Sequence, residues 1–277
     1  MMISEDKRKI LADIFSGRGI SELSLEDTLS IAEETKASVK AVEWFALDSK
    51  IEPLRYKRNL GTVGFDGQKK LLESSAIIVG MGGLGGYLVE ELGRVGVGEI
   101  VCCDYDVFDA TNLNRQILSE EGNLGVGKVD IARQRLEAIN SGVEFVGVTG
   151  KFNDIDKNIW QGAGVVFDCL DNIDDRMVLA EKCTLASVKL VHGAIGGWYG
   201  QVGVIRPGSD VLSRIYKGQR SGIEKDVGTP PFTAATAASI MASKGVKVLT
   251  GIDSEEDYHI LFFDLLENDW RTLKFSQ

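Results

Sequence analysis

Only four cysteines occur in the 277 residues, and no two are spaced as C-x-x-C, which argues against both a zinc site and a disulfide framework. The two histidines, His192 and His259, each fall in an expected strand with no second histidine or cysteine at ligand spacing, so both are read as core residues. Basic residues are in deficit: 31 Lys plus Arg stand against 41 Asp plus Glu, a net charge of −10. A polyanion would meet overall repulsion, and with no local basic patch to offset it no nucleic-acid partner is expected. Long hydrophobic runs are missing as well. The apolar stretches 74–89 and 227–243 are interrupted by Gly, Ser, Thr or Pro230 and Pro231, and none approaches the ~20 strongly apolar residues of a membrane span, so no membrane partner is expected. The first seven residues are too charged for a signal peptide, and a cytoplasmic location is expected. Proline is scarce, at four residues, while 44% of the chain is hydrophobic and 26% charged. That composition excludes wholesale disorder and fibrous structure and leaves an ordinary globular protein.

Glycine, by contrast, is abundant at 32 residues, and its clusters mark tight turns or close backbone approach. Residues 7–15, 25–37 and 39–47 read as three short helices separated by Gly17-Arg18-Gly19 and Ser38, the second opened by the capping box Ser24-Leu25-Glu26-Asp27. Pro53 closes this segment, so residues 1–53 form a helical appendage to a domain spanning 54–277. From Ser75 the pattern changes. The strand 76–79 runs into Gly80-Met81-Gly82-Gly83-Leu84-Gly85 and a helix with Leu84, Leu88, Leu92 and Val95 on one face, followed by a strand over 99–103. That is the opening βαβ unit of a doubly wound sheet. Strands at 143–148, 164–169 and 190–192 alternate with helices at 129–139 and 174–188. The expected fold is therefore α/β, a mostly parallel Rossmann-like sheet with helices on both faces. Beyond Gly196 the pattern reads as antiparallel: a strand at 200–205, a polar stretch 209–226, a helix at 234–250, and a hairpin pairing 258–265 with 270–275.

The glycines Gly80, Gly82, Gly83 and Gly85 free backbone N–H groups at a helix N-terminus to meet a nucleotide. Asp104, 19 residues after Gly85, sits where a carboxylate can bond a ribose hydroxyl. A dehydrogenase would share these elements. The residues beyond the second strand separate the two classes: Asp104-Tyr105-Asp106, then Thr111-Asn112-Leu113-Asn114-Arg115-Gln116, then Lys128 opening the next helix. Two cations and two carboxamides beyond the strand ends suit a polyphosphate, because charge builds on phosphoryl oxygens as pyrophosphate leaves. The third element is Asp168-Cys169-Leu170-Asp171-Asn172. Asp171 is placed to hold Mg²⁺ with mostly phosphate and water ligands, or else to cap the helix that comes after it. Asp174 and Asp175 are read as first-turn helix acids. The four cysteines are read as core thiols rather than nucleophiles.

Taken in order, these motifs resemble the ThiF/MoeB/HesA proteins, bacterial relatives of the ubiquitin-activating enzymes. The likeness begins at Arg55-Tyr56-Lys57-Arg58-Asn59 and Gly64-Phe65-Asp66-Gly67-Gln68, includes Gly200-Gln201, and ends at Phe262-Phe263-Asp264, covering about 220 residues. The resemblance implies a homodimeric adenylyltransferase that uses ATP and Mg²⁺ to adenylate the C-terminal carboxylate of a ubiquitin-like sulfur-carrier protein ending in Gly-Gly. It implies Asp104 as ribose ligand, with Asp106 beside it, and Asn112, Arg115 and Lys128 as phosphate contacts. Asp171 becomes the metal and catalytic carboxylate, Arg58 an arginine contributed by the partner subunit, and Gln116 a support to the site. Members of the family commonly carry two zinc-binding C-x-x-C pairs; this sequence has neither, and no zinc is expected. No cysteine follows Cys183, so the thiol-transfer step of some relatives has no counterpart. Gly193, Gly196, Gly197 and Gly200 could let a Gly-Gly tail lie along the backbone. The rival readings are a relative that activates a small molecule, peptide or tRNA nucleoside, and an NAD-dependent oxidoreductase.

Overall fold

The computed structural model describes residues 3–218 and 227–275. Strand β3, Ser75–Val79, turns Ala76 and Ile78 to one apolar core and Ile77 and Val79 to another. β4, Glu99–Asp104, does the same with Ile100 and Cys102 against Val101 and Cys103. Strands buried on both faces belong to the interior of a sheet covered by helices. β5 (Glu144–Thr149), β6 (Val165–Asp168) and β7 (Leu190–Gly196) continue the parallel set, and β8 (Tyr199–Ile205), β9 (Ile260–Asp264) and β10 (Asp269–Leu273) extend it antiparallel. The spatial order is β10-β9-β8-β7-β6-β3-β4-β5. Leaving β3, the chain builds β4 and β5 on one side and returns to place β6 on the other. The C-terminal ends of β3 and β6 thus flank a topological switch point, where open α/β sheets bind ligands.

Helices α5 (Gly85–Val95), α6 (Lys128–Ile139) and α10 (Pro231–Thr250) cover one face, while α7 (Lys157–Gly162), α8 (Ile173–Ala186) and α9 (Val211–Ile215) cover the other. On α5 the expected stripe is present, with Leu88 and Leu92 buried and Val95 packed beside them. Among the described residues no helix is long and apolar enough to cross a membrane.

The amino-terminal helices are α1 (Glu5–Arg18), α2 (Leu25–Thr35) and α3 (Val39–Asp48), each opened by a serine, Ser4, Ser24 or Ser38, whose hydroxyl accepts an orphan N–H of the first turn. They share an apolar cluster of Leu11, Phe15, Ile31, Val42 and Phe45 that extends to Tyr56 and Leu72. Two features are not legible in the sequence. A short parallel pair, β1 (Glu22–Leu23) with β2 (Glu52–Pro53), ties off the segment. Helix α4, Lys57–Glu73, is hidden in the sequence by Gly61, Gly64 and Gly67, and it does break at Gly64, where φ is 69°. Glu43 binds α3 to the rest: it accepts from Arg55 Nε at 2.9 Å and from the Tyr56 hydroxyl at 3.2 Å, and Asn140 at the end of α6 donates to that hydroxyl at 3.0 Å. In the carboxyl-terminal part, residues 255–258 form a 3₁₀ turn, so β9 begins two residues later than expected and His259 precedes it. The polar stretch 209–226 contains α9, while residues 219–226, with Arg220 and Lys225, lie outside the described residues.

Candidate active site

Beyond β3 the chain turns at Gly80, where φ is 96° and a Cβ would stand 2.7 Å from the Cys169 carbonyl oxygen, so only glycine fits. Gly80 N–H donates to the Cys103 carbonyl at 2.8 Å, so the turn is threaded between the ends of β4 and β6. At Gly85 a Cβ would stand 1.9 Å from the Gly80 carbonyl oxygen, which closes the turn on itself and starts α5. No side chain caps that helix, and its N-terminal dipole is directed at the crevice. Asp104, at the end of β4, braces the turn: Oδ2 accepts from Met81 N–H at 2.6 Å and Oδ1 from Asp106 N–H at 2.8 Å.

The resulting cleft holds about 540 Å³ and is walled by Gly80, Gly82, Gly83, Asp104, Asp106, Arg115, Gln116, Lys128 and Asp171, among others. Lys128 is 6% exposed and pairs with Asp106 at 3.1 Å. Arg115 lies along Gly83 with its guanidinium donating to the Thr111 carbonyl at 2.8 Å and to Asn114 Oδ1 at 2.9 Å. Gln116 is buried beside Gly82, and its Oε1 has no hydrogen-bond partner among the described residues. Asp171 is exposed to the cleft. Asn172, not Asp171, caps α8, accepting from Asp175 N–H at 2.8 Å, so the Asp171 carboxylate is not spent on capping. Asp174 and Asp175 lie in the first turn of α8 as expected.

Three of the sequence candidates are not on this wall. Gly85 stands behind the turn. Asn112 is buried in a 3₁₀ turn capped by Asp109, and its Oδ1 closes the capping box by accepting from Asp109 N–H at 3.3 Å. Arg58 is exposed on the first turn of α4 and is not part of the cleft wall. Conversely, Lys151, Phe152 and Asn153 join the wall unanticipated. They come after β5, and the rule that ligands collect at the carboxyl ends of parallel strands would have pointed to them.

A second cavity of about 480 Å³ shares Asp171, Arg176 and Ile195 with the first. Between the two lies a buried polar network. The Arg176 guanidinium donates to Asp168 Oδ2 at 3.0 Å, to the Gly193 carbonyl at 2.7 Å and to the Leu170 carbonyl. His192 Nδ1 is 2.7 Å from Asp168 Oδ2, and its Nε2 is 3.1 Å from Gln201 Nε2. Burial pushes the Asp168 carboxyl up, but the Arg176 charge and the bonds from His192 and Leu170 together outweigh it and hold the group ionised below the ordinary carboxylate value. Burial lowers the His192 pKa against the pull of Asp168, so the imidazole stays neutral. His192 is therefore a core residue, as its sequence context suggested, but one wired to the site by contacts that no local motif announced. Gly193 and Gly200 do not offer an open backbone path: a Cβ there would meet Met241 Sδ at 2.2 Å and the Phe263 ring at 2.1 Å, so both serve close packing inside the sheet.

Burial raises every thiol. Cys103 and Cys183 are pushed up to about 12, and Cys102 and Cys169 also rise, so none forms a thiolate near neutrality. Among the described residues no three His, Cys, Asp or Glu side chains converge on one point. A hard cation in the cleft would accordingly be held by Asp171 together with phosphate and water oxygens, an arrangement that suits Mg²⁺.

The profile described as the ThiF family matches residues 56–277. Among curated relatives, the SAMP-activating enzyme E1 of Haloferax volcanii is 30% identical over 231 residues, 80% of this chain and 84% of that protein. The molybdopterin-synthase adenylyltransferase of Escherichia coli is 31% identical over 231 residues, 80% of this chain and 92% of that one. A crystal structure of E. coli MccB with ATP superposes with a TM-score of 0.66 at 18% identity, over 90% of this chain and 82% of the other, and shares the fold.

Proposed function

The chain belongs to the ThiF family, and on that premise we propose that it adenylates the C-terminal carboxylate of a ubiquitin-like sulfur-carrier protein ending in Gly-Gly, using ATP with Mg²⁺. The observation that carries this reading is convergence at the switch point. The uncapped start of α5, the cations Arg115 and Lys128 and the uncommitted carboxylate of Asp171 meet in one cleft, and a second cavity also includes Asp171 in its wall. The names of the relatives, an adenylyltransferase and an activating enzyme, support the same chemistry.

In the proposed reaction the glycine turn receives the phosphates and Asp104 the ribose. A carrier carboxylate oxygen attacks the α-phosphorus, the bond from that phosphorus to the bridging oxygen of the β-phosphate breaks, and pyrophosphate leaves. Arg115 and Lys128 stabilise charge building on the phosphoryl oxygens, Lys128 as a point charge and Arg115 as a planar fork. Mg²⁺, when bound at Asp171, supplies further neutralisation of that charge. No proton is transferred, because the attacking carboxylate is already ionised. Gln116 and Asn112 support the turn and loop that carry these groups. Arg58, exposed and not on the wall of its own cleft, is assigned to the cleft of a partner subunit in a homodimer. Residues 1–53 are assigned as an appendage to a catalytic unit over 54–277, supported by the start of the family match at residue 56, and a cytoplasmic setting suits an enzyme that consumes ATP.

The test is a titration with ATP plus Mg²⁺ beside NAD, followed by ATP–pyrophosphate exchange with Gly-Gly-tailed carriers. Mg²⁺-dependent ATP binding that weakens in Lys128→Ala, and exchange that requires the carrier, are expected. Preference for NAD would return the protein to the oxidoreductase class, and ATP binding with exchange driven only by small acids would replace the carrier.

A further inference from the structure

The buried network under the second cavity does more than hold Arg176. Asp168 is ionised, and its Oδ2 lies 2.7 Å from His192 Nδ1. Arg176 Nη1 is also 3.1 Å from Nδ1, but its two hydrogens go to Asp168 Oδ2 and the Gly193 carbonyl; an unprotonated Nδ1 would therefore set its lone pair against Asp168 Oδ2, so Nδ1 carries the imidazole proton and Nε2 is an acceptor. The terminal amide of Gln201 lies 3.1 Å from that Nε2 and 2.7 Å from the Tyr216 hydroxyl oxygen. The Tyr216 hydroxyl is also 3.2 Å from Nε2, but the Gln201 atom 3.1 Å from that acceptor must still be the amide nitrogen, and its two N–H bonds match Nε2 and the Tyr216 oxygen. The carboxamide cannot flip without placing its oxygen against the Nε2 lone pair. Gln201 thus has one group left, Oε1, which finds no partner among the described residues, and the residue lines the second cavity.

Backbone geometry points the same way. Strand β7 pairs with β6 only through His192, while its pairing with β8 runs on to Gly196. Residues 194–196 therefore have no strand on their β6 side, and there they line the same cavity, close to Asp171. An extended peptide can bond to such an unpaired edge. Ile173, Ala194, Ile195, Ile215, Phe262 and Phe275 supply apolar wall, and the other polar side chains at the cavity are Asp171, Arg176, Tyr199, Arg214 and Tyr216, of which none is a carboxamide.

We infer that Gln201 recognises a backbone N–H of the substrate's extended tail in the second cavity, its carbonyl aimed by His192 and Asp168, so that the enzyme selects carboxylates at the end of a peptide over carboxylates with no amide N–H near the reacting group. This inference rests on the adenylation reading above and names what that site accepts. Gln201 is a specificity residue; His192 and Asp168 position it.

The experiment uses the full chain and synthetic peptides ending in Gly-Gly, each made as the amide and as esters that replace the last two peptide bonds in turn, read by ATP–pyrophosphate exchange. One net hydrogen bond corresponds to about a three- to tenfold change in affinity. In the wild type, at least one ester raises KM for the peptide by that factor, while kcat and KM for ATP stay unchanged. Gln201→Met, which keeps length without the acceptor, raises KM for the amide peptide similarly and no longer separates amide from ester. His192→Gln, still able to present an acceptor to Gln201, keeps the discrimination, and His192→Leu loses it; retained ATP binding reports folding of each variant. Equal KM for amide and both esters in the wild type, or discrimination that survives in Gln201→Met, overturns the inference while leaving adenylation intact. Absence of exchange from every peptide at millimolar concentration, with ATP still bound, overturns the peptide substrate and this inference with it.

Discussion

Replacing Arg176 with methionine tests the network at its centre. Arg176 is 6% exposed, its guanidinium spans Asp168, the Gly193 carbonyl and the Leu170 carbonyl, and Asp168 itself is fully buried. Methionine fills similar volume but leaves a buried carboxylate opposed only by a neutral histidine and one backbone N–H. Removing one partner of a buried ion pair costs about 3–5 kcal/mol, a large share of the roughly 5–15 kcal/mol that holds a typical protein folded. At about 2 °C per kcal/mol for a chain of this size, thermal unfolding followed by circular dichroism at pH 7.5 is expected to fall by about 6–10 °C. Adding Asp168→Asn to the same chain removes the stranded charge and should recover more than half of the loss, because a neutral amide still accepts from His192. A single-variant loss below ~1 kcal/mol, or a double variant that loses the sum of the two single losses, would show that the pair is not buried and coupled as described. The Leu170 contact predicts a functional echo. With its carbonyl released, the segment carrying Asp171 loosens, and the exchange rate should fall even at temperatures where the variant remains folded.

Arg115→Ala and Asp171→Asn should each slow single-turnover adenylate formation by on the order of 10²-fold with little effect on unfolding temperature; unchanged rates in both would remove these residues from the site. Gly85→Ala places a methyl 1.9 Å from the Gly80 carbonyl oxygen, and should cost about 1–3 kcal/mol in denaturant titration together with ATP binding, whereas normal binding would mean the turn can open. Burial lowers the folded-state pKa of His192 from 6.5, so on acidification the unfolded chain takes up a proton that the native state refuses. The contribution is complete above about pH 6.5 and is lost as pH falls from there towards the folded-state value. Unfolding temperature measured from pH 7.5 to 5 should decline less steeply in His192→Gln than in the wild type, and a parallel decline would assign the loss to other groups.

Periodicity and punctuation made much of the architecture legible. The apolar run before Gly80, the stripe Leu84, Leu88, Leu92 and the Ser24 cap of the second helix are local signals, and each is where the sequence placed it; the caps at Ser4 and Ser38 became evident only in the structure. Helix α4 escaped because three glycines lower helix propensity, and packing of Leu71 and Leu72 into the two cores on either side compensates. Lys151 to Asn153 escaped because a loop residue acquires a role only from what the strand before it is parallel to.

The division has one physical root. A glycine turn, an N-cap or a burial stripe is decided within a few residues by backbone sterics and helix or strand period, so the amino-acid sequence alone determined the βαβ opening, the antiparallel extension and the candidates Asp104, Arg115, Lys128 and Asp171. The network of Asp168, Arg176, His192 and Gln201 joins four elements whose members are as many as 33 residues apart, and its tautomer, its charge state and the single acceptor it presents follow from burial and mutual distance. Only the tertiary structure decided those, because desolvation and hydrogen-bond direction are properties of an enclosed space and not of a local run of residues.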